Sequence, residues 1–160
     1  LDVAGRDARI AEVRAGQLDE VLAFRPDLAL VVAGSGDVLR RDLERCEELL
    51  TDCDAIVAAL QRTGADVVTA TAFDVTRSPR VPAPRRAPLR RRLHQLADRV
   101  RQVARARGTV HLDLAEHPAA AEPDVYGADL RFLTRRGQAI AAAALVRRLG
   151  QHLAQATARR

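Results

Sequence analysis

The chain has 160 residues and a net charge of +5, with 26 Lys or Arg residues against 21 Asp or Glu residues. Its length suits one domain with a sizeable core, and a hydrophobic content of 48% excludes a disordered chain. Aromatic residues make up only 2%, so few rings are present to stack on bases, and no specific nucleic-acid partner is expected. No apolar run is long enough to span a membrane.

The first segments alternate between strand and helix patterns. The residues Leu1-Asp2-Val3-Ala4-Gly5 fit a strand that ends in a turn, the weakest strand of the set. Apolar residues at helical spacing predict a helix over 8–22, and Pro26 closes that segment. The continuous apolar run over 28–33 predicts a strand buried on both faces.

A glycine-rich turn follows this strand. Gly34 and Gly36 allow the backbone to turn sharply, and Asp37 is placed to cap the next helix. Chemistry in an open α/β sheet takes place just beyond the carboxyl ends of the strands. A site is therefore expected to border Gly34 to Asp37, although a capping role explains Asp37 without any function.

The remaining segments continue the alternation. The alternation of strands and helices predicts a single three-layer α/β/α domain over residues 1–160, with a mostly parallel, flavodoxin-like sheet. The elements are a helix from about Asp42 to Gln61, a strand over 66–71, an exposed and mobile Pro- and Arg-rich loop over 77–87, a helix over 89–107, a strand over 109–114 and a helix over 134–156.

The two cysteines lie on one predicted helix. Cys46 and Cys53 are seven residues apart, or about 10 Å at the helical rise, which is too far for a disulfide. They are interpreted as reduced thiols, and a cytoplasmic location is expected. The chain starts without a methionine, so it is expected to be part of a longer product.

Several motifs, in the right order and over nearly the whole chain, resemble those of the SGNH hydrolases, also called GDSL esterases and lipases. Residues 1–5 resemble the second block, a strand that ends in a glycine. Residues 25–40, with Gly34-Ser35-Gly36-Asp37, are similar to the third block, normally Gly-x-Asn-Asp. Residues 64–68 resemble the next strand, Asp113 lies where a strand often has Val-Asp-Leu, and residues 129–138 resemble the final block, in which Asp-x-x-His supplies the catalytic Asp and His.

The resemblance implies cleavage of acyl esters through an acyl-serine, with no metal and no cofactor. It makes Asp129 the catalytic aspartate, assigns Gly5 and Gly36 to the oxyanion hole, and implies a small acyl ester as ligand. The chain departs from the family at the residues that carry the chemistry. It contains no Gly-Asp-Ser, Gly36 stands in place of the asparagine, Phe132 stands in place of the histidine, and Gln138 replaces a further histidine.

These departures predict an inactive or severely impaired ester hydrolase, a truncated pseudoenzyme. The alternative is a non-catalytic α/β module that binds a ligand or a partner. In the family, the first strand lies between the strands of the second and third blocks. Its absence predicts an unpaired strand edge, and therefore low stability or self-association through that edge.

Single residues leave alternatives open. Ser35 is a surrogate nucleophile or, as favoured here, a small turn residue, because no histidine is placed beside it. His117 approaches the cleft or is a solvated loop histidine, and with Asp113 and Glu116 it has no familiar metal-ligand spacing.

Asp129 also fits a turn cap before the last helix, and Phe132 would fill the position of the base. The serine Ser78 falls in the arginine-rich loop, and His94 and His152 are predicted to be exposed on helices.

Overall fold

A computed structural model describes residues 1–32, 34–39 and 46–158, without the side chains of Ser35, Leu39, Cys46 and Ala156. Strands and helices alternate along it, which confirms the predicted α/β fold. The elements are α1 (Ile10–Gly16), α2 (Leu18–Phe24), β1 (Leu28–Val31), α3 (Ser35–Leu39), α4 (Cys46–Arg62), β2 (Asp66–Ala70), α5 (Ala83–Arg107), β3 (Val110–Leu112) and α6 (Arg135–Ala158). Short 3-10 turns lie at Val75–Arg77, Pro118–Ala121 and Pro123–Val125.

The sheet has three strands in the order β1-β2-β3, and both pairings are parallel. Its two faces pack against different helices. Ala29 and Val67 pair in register and belong to a cluster with residues of α1, α4 and α5. Ala70 and Leu112 pair in register and pack against residues of α6. Because successive side chains of a strand alternate between faces, the helices form two outer layers around the sheet.

One face of β1 lies uncovered. The helix α6 packs over β3, and no described helix covers the same face of β1. Leu28 and Leu30 are consequently 51% and 53% exposed, whereas Ala29 on the opposite face is 7% exposed. The prediction of a strand buried on both faces is therefore wrong, and Ala33 at its predicted end lies outside the described residues.

The predicted strand at Leu1–Ala4 is wrong. The backbone N–H of Ala4 donates to Asp2 Oδ1 at 3.0 Å, a local turn bond that competes with strand pairing. The predicted helix over 8–22 is two short helices, which meet at Gln17 directly after Gly16.

The arginine-rich segment 77–87 is helical from Ala83 onward, which corrects the prediction of a loop, although most of its residues are exposed as predicted. The helix α5 begins at Ala83, and Pro84 lies in its first turn, where no N–H is needed for a helical bond. Arg86 Nε donates to the carbonyl of Val81 at 2.9 Å, and both Val81 and Ser78 are buried. The helix therefore begins before its predicted start at residue 89, despite the prolines in this segment.

The long helix α4 carries both cysteines, as predicted, although its predicted start at Asp42 lies outside the described residues. Burial raises the pKa of the Cys53 thiol to about 11, which keeps it protonated and unreactive. None of the helices in the described ranges is long and apolar enough to cross a membrane.

Candidate functional site

The turn after β1 packs tightly against the segment that precedes α1. Gly36 is buried, and a Cβ atom placed on it would lie 2.0 Å from the carbonyl oxygen of Asp7. The N–H of Ile10 donates to Asp37 Oδ2 at 3.0 Å, so Asp37 caps the start of α1. The prediction that Asp37 caps the following helix is wrong, because it lies inside α3. Burial raises the pKa of Asp37 above its usual value, although the bond from Ile10 opposes this shift.

The two glycines expected in an oxyanion hole border the same short segment. A Cβ on Gly36 would lie 3.1 Å from the carbonyl carbon of Ala8, and a Cβ on Gly5 would lie 3.7 Å from Ala8 Cβ. Both Gly5 and Gly36 therefore lie close to Ala8. Their role as oxyanion donors stays a prediction.

Asp129 holds its own loop in shape. Its Oδ1 accepts a hydrogen bond from the N–H of Arg131 at 3.0 Å, and Leu130 between them has a left-handed φ of 61°. The loop is closed by a bridge between Tyr126 and Leu133. This geometry confirms the alternative that Asp129 caps a turn before the last helix. Its catalytic role stays a prediction.

Two contacts join this loop to the segment that precedes α1. Arg131 forms an ion pair with Asp7, and the guanidinium carbon of Arg6 lies 4.7 Å from the ring centroid of Phe132. Phe132 is half-buried beneath this cation. The structure thus assembles Gly36, Asp7 and the 129–132 loop in one place, and an aromatic ring occupies the position expected for the base.

No pattern in the sequence signals the partners Arg6 and Asp7. Both lie in a segment without periodicity, and their contacts join positions more than 120 residues apart. The left-handed φ of 53° at Asp7 marks the segment as a tight turn, but no glycine or proline at that position signals it.

His117, the one histidine placed by the sequence within reach of the cleft, has a structural role. Its Nδ1 accepts a bond from the N–H of Ala119 at 3.2 Å, and its ring packs edge-on against Phe73 with centroids 5.6 Å apart. It is half-buried, so the expectation of a solvated loop histidine is wrong. Within the described residues, no three His, Cys, Asp or Glu side chains form a group able to hold a metal ion.

Polar side chains at the end of β3 form a network of hydrogen bonds. Arg101 Nε donates to Asp113 Oδ2 at 2.7 Å, and Thr71 Oγ1 donates to Asp113 Oδ1 at 2.9 Å. Burial alone would raise the pKa of Asp113, but the bonds from Arg101 and Thr71 outweigh it and lower this pKa. His111 Nδ1 lies 2.9 Å from Thr69 Oγ1, and burial, with help from Arg101, lowers the pKa of its imidazole.

A second ionic cluster, which the sequence analysis missed, lies after β2 around Asp74. Asp74 is 1% exposed, and Thr76 donates to its Oδ1 from the backbone at 3.0 Å and from Oγ1 at 2.5 Å. Arg90 Nε and His94 Nε2 each lie 3.3 Å from Asp74 Oδ2. His94, which was predicted to be exposed, is therefore part-exposed and in contact with Asp74. Burial alone would raise the pKa of Asp74, but these bonds lower it. The Asp-x-Thr pattern, typical of a turn, was the available signal.

Of the two serines, the structure describes the side chain of Ser78 only. Ser78 is fully buried, and its Oγ accepts a bond from the N–H of Arg80 at 3.4 Å. The backbone of Ser35 begins α3, but its side chain lies outside the described residues. Both interpretations of Ser35, as a surrogate nucleophile and as a turn residue, therefore stay predictions.

Comparison with known proteins places this geometry in context. A model of the GDSL-like Lipase/Acylhydrolase family matches residues 2–140. The fold resembles the acetylxylan esterase Axe2 from Geobacillus stearothermophilus, with a TM-score of 0.73 and 20% identity over 90% of this chain and 68% of that one. It equally resembles LAE5, an alpha/beta hydrolase enzyme from the metagenome of Lake Arreo, Spain, with a TM-score of 0.73 and 20% identity over 90% of this chain and 69% of that one. No curated protein matches the sequence significantly.

Catalytic mutants of Axe2 replace a serine, an aspartate and a histidine in that enzyme. Its aspartate and histidine lie three positions apart in sequence.

Proposed function

Because the chain belongs to the GDSL-like lipase/acylhydrolase family, we propose that it is an ester-hydrolase scaffold whose 160 residues by themselves have severely impaired catalysis. Its ancestral substrate class is the acyl ester, and it needs no metal or cofactor. A small acyl ester remains the proposed ligand, and a cytoplasmic location remains a prediction.

The environment of Phe132 carries this proposal. Asp129 and Phe132 have the same three-residue spacing as the aspartate and histidine replaced in the catalytic mutants of Axe2. A serine hydroxyl is a weak nucleophile that needs an adjacent base. The ring of Phe132 cannot accept a proton, and the Arg6 cation covers it. Without a histidine to orient, the Asp129 carboxylate bonds to its own loop instead.

The oxyanion hole is weakened at the same time. In place of an asparagine, Gly36 offers only a backbone N–H, and loss of one such side-chain donor typically costs about 10²–10³ in rate. We propose the N–H groups of Gly5 and Gly36 as the donors that remain. These N–H groups support binding of the carbonyl oxygen of an ester better than hydrolysis of that ester, because no base lies beside them.

Hydrolysis of p-nitrophenyl acetate by the purified chain tests the proposal. We expect no rate above that of buffer for the parent chain, and no change on Ser35→Ala or on Phe132→His. The second variant restores the imidazole but supplies no Gly-Asp-Ser nucleophile. Ser78→Ala, at the only other serine, is the matched control. A rate that is lost in Ser35→Ala and kept in Ser78→Ala would show a site rebuilt around Ser35 and overturn the proposal.

The alternative, a non-catalytic interaction module, is favoured by one observation. A groove of about 560 Å³ runs along β1, between this strand and apolar residues of α1, α2 and α4. Seven large hydrophobic side chains are exposed in the described part of the chain, and five of them line this groove: Leu1, Phe24, Leu28, Leu30 and Val32. Exposed apolar residues gathered in one place are typical of an interaction surface.

A further inference from the structure

The edge of the sheet at β3 is held by arginines from two helices that pack on opposite faces. Arg148 Nε, from α6, donates to the backbone carbonyl of His111 at 3.0 Å. Arg101 Nε, from α5, donates to Oδ2 of Asp113, directly beyond the strand, at 2.7 Å. The side chain of His111 lies between these two contacts, so its protonation bears on both of them.

The hydrogen bonds around His111 suit a neutral imidazole. Its Nδ1 lies 2.9 Å from Oγ1 of Thr69, an uncharged residue of β2, and this oxygen lies 3.2 Å from Thr109 Oγ1. With its proton on Nδ1, the ring donates to Thr69, whose own hydroxyl then donates to Thr109. Nε2 is buried, and no described residue forms a hydrogen bond with it. A second proton, on Nε2, would therefore be a buried donor without an acceptor, which costs free energy.

The charges around His111 also oppose its protonation. Arg101 and Arg105 of α5 and Arg148 of α6 all repel a positive imidazole, whereas Asp113 attracts it. Arg101 donates to both carboxylate oxygens of Asp113, so this carboxylate is already paired with a cation. Burial and the three arginines together lower the pKa of His111, although Asp113 opposes the shift.

From this geometry we propose that His111 is a pH-sensitive switch at the β3 edge, in which the neutral imidazole keeps α6 closed on the strand and a proton on Nε2 opens that contact. Opening exposes the new N–H to water, which supplies its acceptor, and separates the imidazolium from the Arg148 guanidinium. The switch uses residues of β2, β3, α5 and α6, and it does not depend on whether the chain hydrolyses esters.

The sign of the pH dependence follows from the lowered pKa of His111 in the closed form. In the open form, water surrounds the imidazole and its pKa returns to about 6.5. Closure is therefore fully effective above about pH 6.5 and weakens as the pH falls from there toward the pKa of the closed form. Because one proton is taken up, the equilibrium constant for opening rises at most about tenfold for each pH unit.

Hydrogen exchange of the intact 160-residue chain, at pH values above and below the ordinary pKa of histidine, tests the switch. The readout is the protection factor, which corrects each amide for the pH dependence of exchange in an unstructured peptide. We expect protection to fall with pH in β3 and in α6 around Arg148. Protection in α4, which packs mainly against α1 and α5, should stay unchanged.

Two histidine variants separate this switch from a general effect of acid. His111→Gln keeps a side chain that can bond to Thr69 but takes up no proton, so its protection factors should not change over the same pH range. His152→Gln, at a partly exposed histidine of α6, is the matched control and should lose protection as the parent chain does. Equal losses of protection in His111→Gln and in the parent chain would overturn the proposal.

An NMR titration of the unmutated chain supplies a readout that needs no variant. The imidazole of His111 should titrate below the range of an exposed histidine, and an ordinary titration would also overturn the proposal. Arg105→Gln removes one repelling charge at an exposed position and should raise the pKa of His111. Arg85→Gln, at an exposed position near the other end of α5, is its control and should leave that pKa unchanged.

Discussion

At Gly36, a single hydrogen atom in place of a side chain allows the turn after β1 to contact the start of α1. We expect Gly36→Ala to lower the free energy of unfolding by about 1–3 kcal/mol, the usual cost of overpacking. The added Cβ would lie 2.0 Å from the carbonyl oxygen of Asp7 and 3.0 Å from its carbonyl carbon, and these backbone atoms cannot rotate away. Urea denaturation followed by circular dichroism measures the change.

Gly150→Ala is the control for this substitution. Gly150 also lies in a helix, but a Cβ atom added there would meet nothing within 4 Å, so alanine should stabilise the chain by about 0.5–1 kcal/mol. Equal effects at the two glycines would contradict the close contact with Asp7. The same contact leaves no room for a larger residue than glycine at position 36 of this backbone.

The sequence locates the residues of the candidate site better than it describes their contacts. The motif order singled out Gly36, Asp129 and Phe132, and the structure places the surrounding segments together. The partners Arg6 and Asp7 could not be predicted, because ion pairs and cation–π contacts between distant segments leave no local pattern. Asp37 is a second example of a contact that the sequence does not reveal. It was expected to cap the helix that follows it in the chain, but it caps α1 instead.

At the scale of elements, hydrophobic periodicity predicted most helices and strands but not which faces they bury. The apolar run in β1 predicted burial on both sides, yet no described helix covers Leu28 and Leu30. A pattern of residues reports that a surface is apolar; whether another element covers it depends on the rest of the fold. At Asp2, the side chain accepts a hydrogen bond from the N–H of Ala4, within the segment that was predicted to be a strand.

The segment before α5 is held by Arg80, whose guanidinium donates to three backbone carbonyls. Its Nη1 lies 3.2 Å from the oxygen of Pro123 and 3.0 Å from that of Tyr126, and its Nη2 lies 2.9 Å from that of Ala128. We expect both Arg80→Ala and Arg80→Lys to lower the free energy of unfolding by about 1–3 kcal/mol, because lysine lacks the planar fork that reaches all three. Urea denaturation measures this loss.

Hydrogen exchange localises the effect of the Arg80 variants, which should speed exchange over residues 123–128. Arg85→Lys, at an exposed arginine of α5, is the matched control and should change neither measurement. If Arg80→Lys behaved like Arg85→Lys, a single charge rather than the forked geometry would hold the segment.

Over the whole molecule, the basic excess is largely committed to internal contacts. Many arginines bond to carboxylates or to backbone carbonyls of the chain itself. Those with such a partner include Arg14, Arg77, Arg80, Arg86, Arg90, Arg101, Arg107, Arg131, Arg136 and Arg148. The positive net charge is therefore a property of the composition and does not by itself indicate a basic binding surface.

We accordingly expect only weak and non-specific binding to DNA. Fluorescence anisotropy with two duplexes of unrelated sequence should give equal affinities at low salt and no detectable binding at physiological salt, because few phosphates are neutralised. Replacing the exposed Arg85 and Arg91 by Gln should weaken the low-salt binding to both duplexes alike. A preference for one duplex that persists at physiological salt, with a steep dependence on salt concentration, would show instead that these arginines form a basic surface with aligned phosphate contacts.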